Sequence, residues 1–325
     1  VSTSLDHATR AQARVALVLE EGSVEAGSAP SPRPSGGRPR VAIVTCAEIP
    51  LLEADDQLVL PALAALGVDA SPVVWDDASV DWSAYDLVVL RSPWDYAQRH
   101  DEFLAWAATV PRLVNPVETV AWNTDKRYLA ELAAAGLPVT PTTFLAPGDE
   151  WTPPAGGGEY VLKPVVSAGS RDTGRYGPGD AAQAVAHVRR LQAAGRITMV
   201  QPYLPAVDSY GETALLYFAD PATGRLAYSH AIRKGPMLTG PDEGLETLYK
   251  PEEITPRVPT TAERAVGEAV VATLPDGLVY ARVDLIPDER GNPLLVELEL
   301  TEPSVFMLHD EGAAARLATA ITWAL

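Results

Sequence analysis

Cysteine is almost absent: Cys46 is the single thiol in 325 residues. No intrachain disulfide can form, which suits a reducing cytoplasm. Basic side chains are also scarce, with 25 Lys and Arg against 43 Asp and Glu and a formal net charge of −18. That balance argues against a nucleic-acid partner and against an anionic membrane surface. No apolar run reaches the roughly 20 residues that cross a bilayer. The N-terminus shows no basic region followed by a long apolar core, so no secretory signal is expected. The five histidines (His7, His100, His187, His230 and His309) have no metal-ligand spacing. The expectation is therefore a soluble, cytoplasmic chain, 47% hydrophobic and 21% charged, long enough for two or three packed domains.

The most informative stretch is Tyr280–Ser304, which reads as two strands around the turn-forming cluster Pro287–Pro293. Strand side chains alternate, so Tyr280, Arg282 and Asp284 share one face of the first strand. Glu297 and Glu299 share one face of the second. Closing the hairpin with polar faces aligned brings Asp284, Glu297 and Glu299 into one site. Three buried carboxylates repel one another unless something positive lies among them. With no His or Cys nearby, an oxygen-only donor set points to Mg²⁺, which is usually completed by substrate phosphates. The alternative is a solvated acidic strand face.

Earlier in the chain, Arg40–Cys46, Ala70–Trp75 and Asp86–Leu90 read as strands, with helices over Glu53–Leu66 and Asp101–Val110. This alternation predicts a doubly wound α/β unit. Ligands sit beyond the carboxyl ends of such strands, where Arg91-Ser-Pro-Trp-Asp-Tyr96 falls. Arg91 is suited to fork onto a carboxylate or phosphate, and Trp94 offers an apolar wall. Equally, the loop can pack its aromatics on the next helix. Residues 1–39 read as a flexible extension, with Glu25–Arg40 too poor in apolar residues to order, although Ala8–Glu21 can form a frayed helix.

A helix is expected from Thr124 to Ala135. Lys126 near its N-terminus runs against the macrodipole, which suits a lysine facing an anion as well as a plain surface lysine. Phe144–Gly158 reads as a boundary or linker. Lys163 follows on an apolar strand, and Ser167–Arg175 is a run of small, hydroxyl and glycine residues able to bring backbone N–H groups to phosphate oxygens, or simply a flexible hairpin loop. Further strands are expected at Met199–Tyr203, Ala214–Phe218 and Leu226–Arg233, with helices at Ala181–Ala194, Thr261–Thr273 and Ala313–Leu325.

In this order the motifs resemble the ATP-grasp ligases, particularly the glutathione-synthetase-like branch, over roughly Arg40–Leu325. The resemblance implies an ATP-grasp α/β architecture: an N-terminal doubly wound parallel-sheet domain (40–119) followed by two α+β lobes (120–198 and 199–325) that clamp ATP. It implies ATP and two Mg²⁺ ions as cofactors. Lys126 and Lys163 match the two nucleotide lysines, and Ser167, Gly169 and Ser170 fall in the mobile loop over the γ-phosphate. Gln201, Pro202, Tyr203 and Asp208 lie on the adenine side. Arg233 and Arg282, with Lys163, take the catalytic positions near the transferred phosphate. Asp284, Glu297 and Glu299 match the metal triad, although Glu299 stands where Asn is commoner. The implied reaction is C–N bond formation through an acyl phosphate.

Within the family, Arg91-Ser-Pro-Trp-Asp-Tyr96 and Val296–Ser304 look most like the O-ureido-serine cyclo-ligases of cycloserine biosynthesis. This assigns Arg91, Trp94, Asp95, Glu302 and Ser304 to a small amino acid-like substrate, whose activated carboxylate and attacking nitrogen belong to one molecule. Glu302 and Ser304 can equally cap the next turn. The competing readings are an enzyme joining two separate molecules and a nucleotide-binding module without turnover. A homodimer is the default assembly.

Overall fold

The apolar runs near the N-terminus are short, rich in β-branched residues and separated by helical segments, which is the pattern of a buried parallel sheet. The computed structural model describes residues 37–244, 247–250 and 252–325. The expected helix at Ala8–Glu21 and nearly all of the 1–39 extension lie outside the described residues. Strands β1 (Arg40–Thr45), β2 (Asp69–Val74), β3 (Leu87–Ser92) and β4 (Leu113–Val114) form a parallel sheet ordered β2-β1-β3-β4. Alternate residues of β1 and β3 enter two different cores. Val41, Ile43, Leu87 and Val89 meet α1 (Val59–Ala65) on one side. Ala42, Val44, Val88 and Leu90 meet α2 (His100–Thr109) through Phe103 on the other.

The helix expected over Thr124–Ala135 starts later, as α4 (Tyr128–Ala134), and a separate helix that the sequence pattern did not indicate, α3 (Val117–Asn123), precedes it. Between them Lys126 N donates to Val165 O at 2.9 Å, so the lysine sits in a tight turn pinned to the next lobe. That removes the apparent conflict with a helix dipole.

The second sheet is antiparallel: β5 (Thr143–Leu145), β6 (Tyr160–Pro164), β7 (Gly174–Tyr176) and β8 (Thr198–Pro202), ordered β5-β8-β6-β7. Ala184 and Val188 of α5 (Ala181–Ala193) close its core against Leu145, Tyr160, Leu162 and Tyr176. Sequence pattern alone placed a linker where β5 begins and a loop where β7 begins. Both are strands of only three residues: β5 pairs with the distant β8, and β7 returns along the preceding β6.

After the one-turn α6 (Ala206–Ser209), the third sheet contains β9 (Glu212–Asp220), β10 (Arg225–Lys234), β11 (Ile254–Pro256), β12 (Tyr280–Pro287) and β13 (Pro293–Glu299). Its order is β11-β10-β9-β12-β13, antiparallel throughout. Helix α7 (Thr261–Val271) starts at a capping box in which Thr260 Oγ1 accepts from Glu263 N and the Glu263 carboxylate accepts from Thr260 N. It covers Leu215, Tyr217 and Val283. On the opposite face α8 (Ala313–Trp323) joins Leu216, Phe218 and Ile232 to Val41, Ile43 and Leu63, so the first and third sheets share one core. No helix among the described residues is long and apolar enough to cross a membrane.

Candidate active site

The hairpin β12–β13 closes as its alternation predicts. Arg282 pairs across the strands with Glu299 and Asp284 with Glu297, while Ala281, Val283 and Leu285 turn into the core. The polar face opens on a cleft of about 410 Å³ lined by residues of all three sheet units. Lys126 Nζ lies 3.1 Å and Lys163 Nζ 3.8 Å from the Glu297 carboxylate. Lys126 Nζ also donates to Ser167 O at 2.8 Å. Arg282 Nε and Nη2 donate to Asp284, each at 2.9 Å, and Nη2 also donates to Glu299.

The electrostatics follow from this pairing. Burial pushes against ionisation of Asp284, but Arg282 and Lys234 outweigh it and hold the carboxyl down at about 2. Burial likewise opposes Glu297, and Lys126 and Lys163 again prevail and lower it. Glu299 has only a share of Arg282. Burial, with Glu297 and Asp284 beside it, raises it to about 8. Burial and the neighbouring Lys126 lower Lys163, partly offset by Glu297.

Two residues of this centre were missed from sequence. Lys234 Nζ donates to Asp284 at 2.8 Å and pairs with Glu212 at 2.7 Å, its cross-strand partner. Both line the cleft. The catalytic position expected for Arg233 is corrected here: neighbours on a strand face opposite ways, and Arg233 turns off to donate to Tyr210 O at 2.9 Å. The signal available was the lysine one step further along the same strand, in register with an acid.

The carboxylate face therefore carries its own cations, Lys126, Lys163, Lys234 and Arg282, where sequence reasoning expected Mg²⁺ to balance the charge. Among the described residues no three His, Cys, Asp or Glu side chains stand together as a ready metal centre. The donor chemistry still fits a hard divalent ion. Glu297 and Glu299 are cleft-lining oxygen donors on one face, and Glu299 is short of positive charge. Asp284, with its oxygens taken by Arg282 and Lys234, lies behind them and does not line the cleft.

Ser167, Gly169, Ser170, Gln201, Pro202 and Tyr203 all line the cleft as expected. Gln201 Nε2 donates to Thr142 Oγ1 at 2.9 Å. Asp208 does not line it: it accepts the Tyr203 hydroxyl at 2.5 Å and lies 3.4 Å from Arg175, whose guanidinium covers the Tyr203 ring at 3.7 Å. Its place is to fix the tyrosine. The glycine-rich loop is backed by the β10–β11 connection. Arg171 donates to Thr247 O at 2.8 Å and Arg175 N to Gly240 O at 2.8 Å. Gly169, at φ +61°, lies so close to this strap that a Cβ would stand 2.3 Å from Leu248 O.

On the substrate side, Trp94, Glu302 and Ser304 line the cleft, with Trp94 edge-on to Tyr249 at 5.3 Å. Arg91 and Asp95 do not, which corrects their expected substrate role. Arg91 is fully buried, donates Nε to Asp56 at 2.9 Å and Nη2 to Pro303 O at 2.5 Å. Asp95 accepts Trp75 Nε1 at 2.8 Å. Arg91 sits at the end of the apolar β3 and Asp95 in the turn after it, where sequence cannot tell a ligand contact from a structural tie.

Known proteins resemble this chain over most of its length. A family model described as the D-cycloserine synthetase DcsG N-terminal domain matches residues 41–115. The cycloserine biosynthesis protein DcsG of Streptomyces lavendulae is 39% identical over 302 residues, covering 86% of this chain and 97% of the relative. The chain belongs to the DcsG family of ATP-grasp ligases. The crystal structure of D-cycloserine synthetase DcsG superposes with a TM-score of 0.76 at 38% identity, over 87% of this chain and 98% of that one. The ATP-grasp ligase PsnB, solved with Mg and ADP, shares the fold at a TM-score of 0.56 and 16% identity, over 88% and 98% of the two chains. As a member of this family the chain is an ATP-dependent C–N ligase, and the mixed parallel and antiparallel sheets are the ATP-grasp architecture.

Proposed function

We propose that this enzyme uses ATP and Mg²⁺ to activate the carboxylate of a small amino acid-like substrate as an acyl phosphate and then closes it onto a nitrogen of the same molecule, the ring-forming reaction of cycloserine synthesis. The observation that carries this reading is the convergence of Lys126, Lys163, Lys234 and Arg282 on the carboxylate face of β12–β13. Four cations around one cleft suit a polyphosphate whose charge must be held still while a phosphoryl group moves.

Lys126, Lys163 and the backbone of Ser167, Gly169 and Ser170 hold the phosphates, and Gln201, Pro202 and Tyr203 border the base. Glu297 and Glu299 would hold Mg²⁺, which supplies charge neutralisation across the phosphate oxygens. As ATP enters, the lysines now on Glu297 have phosphate oxygens to turn to. Arg282 and Lys234 face the transferred group. The strap behind the glycine-rich loop keeps water from the acyl phosphate. The cytoplasm supplies the ATP this chemistry needs.

The deciding experiment follows phosphate release with ATP, Mg²⁺ and O-ureido-serine as the sole amino acid. Release from that one compound, with a cyclic product, is expected. Release that requires two different amino compounds overturns the cyclisation and leaves an intermolecular ligase.

A further inference from the structure

The segment that follows β13 is held in an unusual way. Five consecutive carbonyls each lie against a side-chain donor, and the donors come from three other stretches of the chain, 91–94, 230 and 280–282. Thr301 O lies 3.0 Å from the Tyr280 hydroxyl, Glu302 O 3.2 Å from Trp94 Nε1, and Pro303 O 2.5 Å from Arg91 Nη2. Ser304 O lies 3.1 Å from Arg282 Nη1 and Val305 O 2.8 Å from His230 Nε2. A carbonyl only accepts, so His230 carries its proton on Nε2 and its Nδ1 accepts from Ser229. The residues expected to touch substrate from the β3 loop thus fix a backbone, and that backbone presents Glu302.

Glu302 is 8% exposed and lines the cleft. The Tyr96 hydroxyl, which also lines the cleft, acts on the Glu302 carboxyl and favours the charged form. Among the described residues no lysine or arginine is ion-paired with it, whereas Glu212, Glu297 and Glu299 each have such a partner. Forming a C–N bond releases a proton from the attacking nitrogen, and something must accept it. The cleft's lysines and Arg282 only donate when charged, and the carboxylates on the strands of its polar face, Glu212, Glu297 and Glu299, are committed to cations. We propose that Glu302 is the general base of the second half-reaction, with Tyr96 as its positioning residue. The inference rests on the acyl-phosphate reading above.

The nitrogen lone pair forms the bond to the acyl carbon, and the bond from that carbon to the phosphate oxygen breaks, releasing inorganic phosphate. The proton passes to Glu302, and the electron pair of the N–H bond stays on nitrogen. The groups around Glu302 suit this work. Burial, with Glu297 adding, raises its carboxyl to about 7 against the opposing influence of the Tyr96 hydroxyl, Lys126 and Arg282, a poise near neutral pH that favours proton transfer.

The test separates the two half-reactions. Hydroxylamine traps the acyl phosphate as a hydroxamate, with its proton taken by excess hydroxylamine or water, so the enzyme need supply no base. Glu302→Gln is expected to form hydroxamate within about threefold of wild type while ring closure falls about 10²–10⁴-fold. Ring closure by wild type should show an acidic limb near pH 7. Tyr96→Phe should move that limb upward, since the lost hydroxyl favoured the carboxylate. His309→Gln, altering the one histidine among the described residues that line the cleft, should leave both half-reactions unchanged. Ring closure surviving in Glu302→Gln, both half-reactions falling together, or a limb that follows His309 instead would overturn the proposal. Wild type that forms no hydroxamate overturns the acyl-phosphate reading itself, and this proposal with it.

Discussion

Arg282 stands directly across the sheet from Glu299 while its guanidinium also forks onto Asp284, two residues along its own strand. One cation thus serves two carboxylates, and Lys234 joins it on Asp284 alone. The imbalance sets opposite pH dependences. Asp284, held at about 2, contributes stability that is present above its ordinary value of 3.8 and is lost as pH falls toward 2, at most about 2 kcal/mol. Glu299 at about 8, with Glu212 and Glu302 at about 7, contributes stability that is complete below the ordinary value of 4.5 and is lost as pH rises through 7 to 8.

Without ATP and Mg²⁺ the protein should therefore be most stable in mildly acidic solution. Glu299→Gln should flatten the alkaline decline, adding about 1–3 kcal/mol at pH 8 and little at pH 5. Thermal melts across pH, with and without Mg²⁺ and ATP, check both statements. A variant that melts in parallel with wild type at every pH refutes the assignment.

Lys163→Ala should lower kcat/KM for ATP about 10–100-fold, through lost phosphate contact. Its effect on Tm should be small, because Glu297 keeps Lys126 at 3.1 Å. Glu297→Gln should raise the Mg²⁺ concentration needed for half-maximal rate, read from a metal titration. Unchanged ATP kinetics in the first variant would remove Lys163 from the mechanism.

Arg91→Met should cost folding about 3–5 kcal/mol, because it leaves Asp56 buried without its cation. Adding Asp56→Asn should recover part of that loss. Chemical denaturation measures both. A stable Arg91→Met enzyme with only a raised substrate KM would return Arg91 to the substrate pocket.

These variants also mark where sequence is informative. The β12–β13 face was readable because period-two alternation fixes which side chains share a side, and the register then put Asp284 opposite Glu297. Lys126 and Lys163 were found through motif resemblance, and both reach the same carboxylate. Lys234 was missed because choosing between two adjacent cations needs the strand's exact phase, which a register shift at Tyr228–His230 obscures. Arg91, Asp95 and Asp208 were misplaced for a different reason. A polar residue at a strand end or beside a turn looks the same in sequence whether it meets a ligand or another side chain.

Gly169→Ala should slow turnover by preventing the glycine-rich loop from seating on the strap, since a Cβ there collides with Leu248 O and the residue holds φ +61°. Limited proteolysis within 167–175 should quicken in the variant. An unchanged digestion pattern with full activity would show that the close approach is dispensable.

The run of anchored carbonyls from Thr301 to Val305 makes the two walls of the cleft unequal. One is a fixed template, its carbonyls from Glu302 to Val305 tied to other parts of the fold, and the other is a loop resting on a loop. A reactive intermediate formed between them meets an already shaped surface on its amino acid side, so enclosing it requires movement from the nucleotide side alone. Substitutions that redesign the substrate should then be easiest in side chains projecting from the template, such as Ser304, and hardest in the remote donors that hold its backbone still.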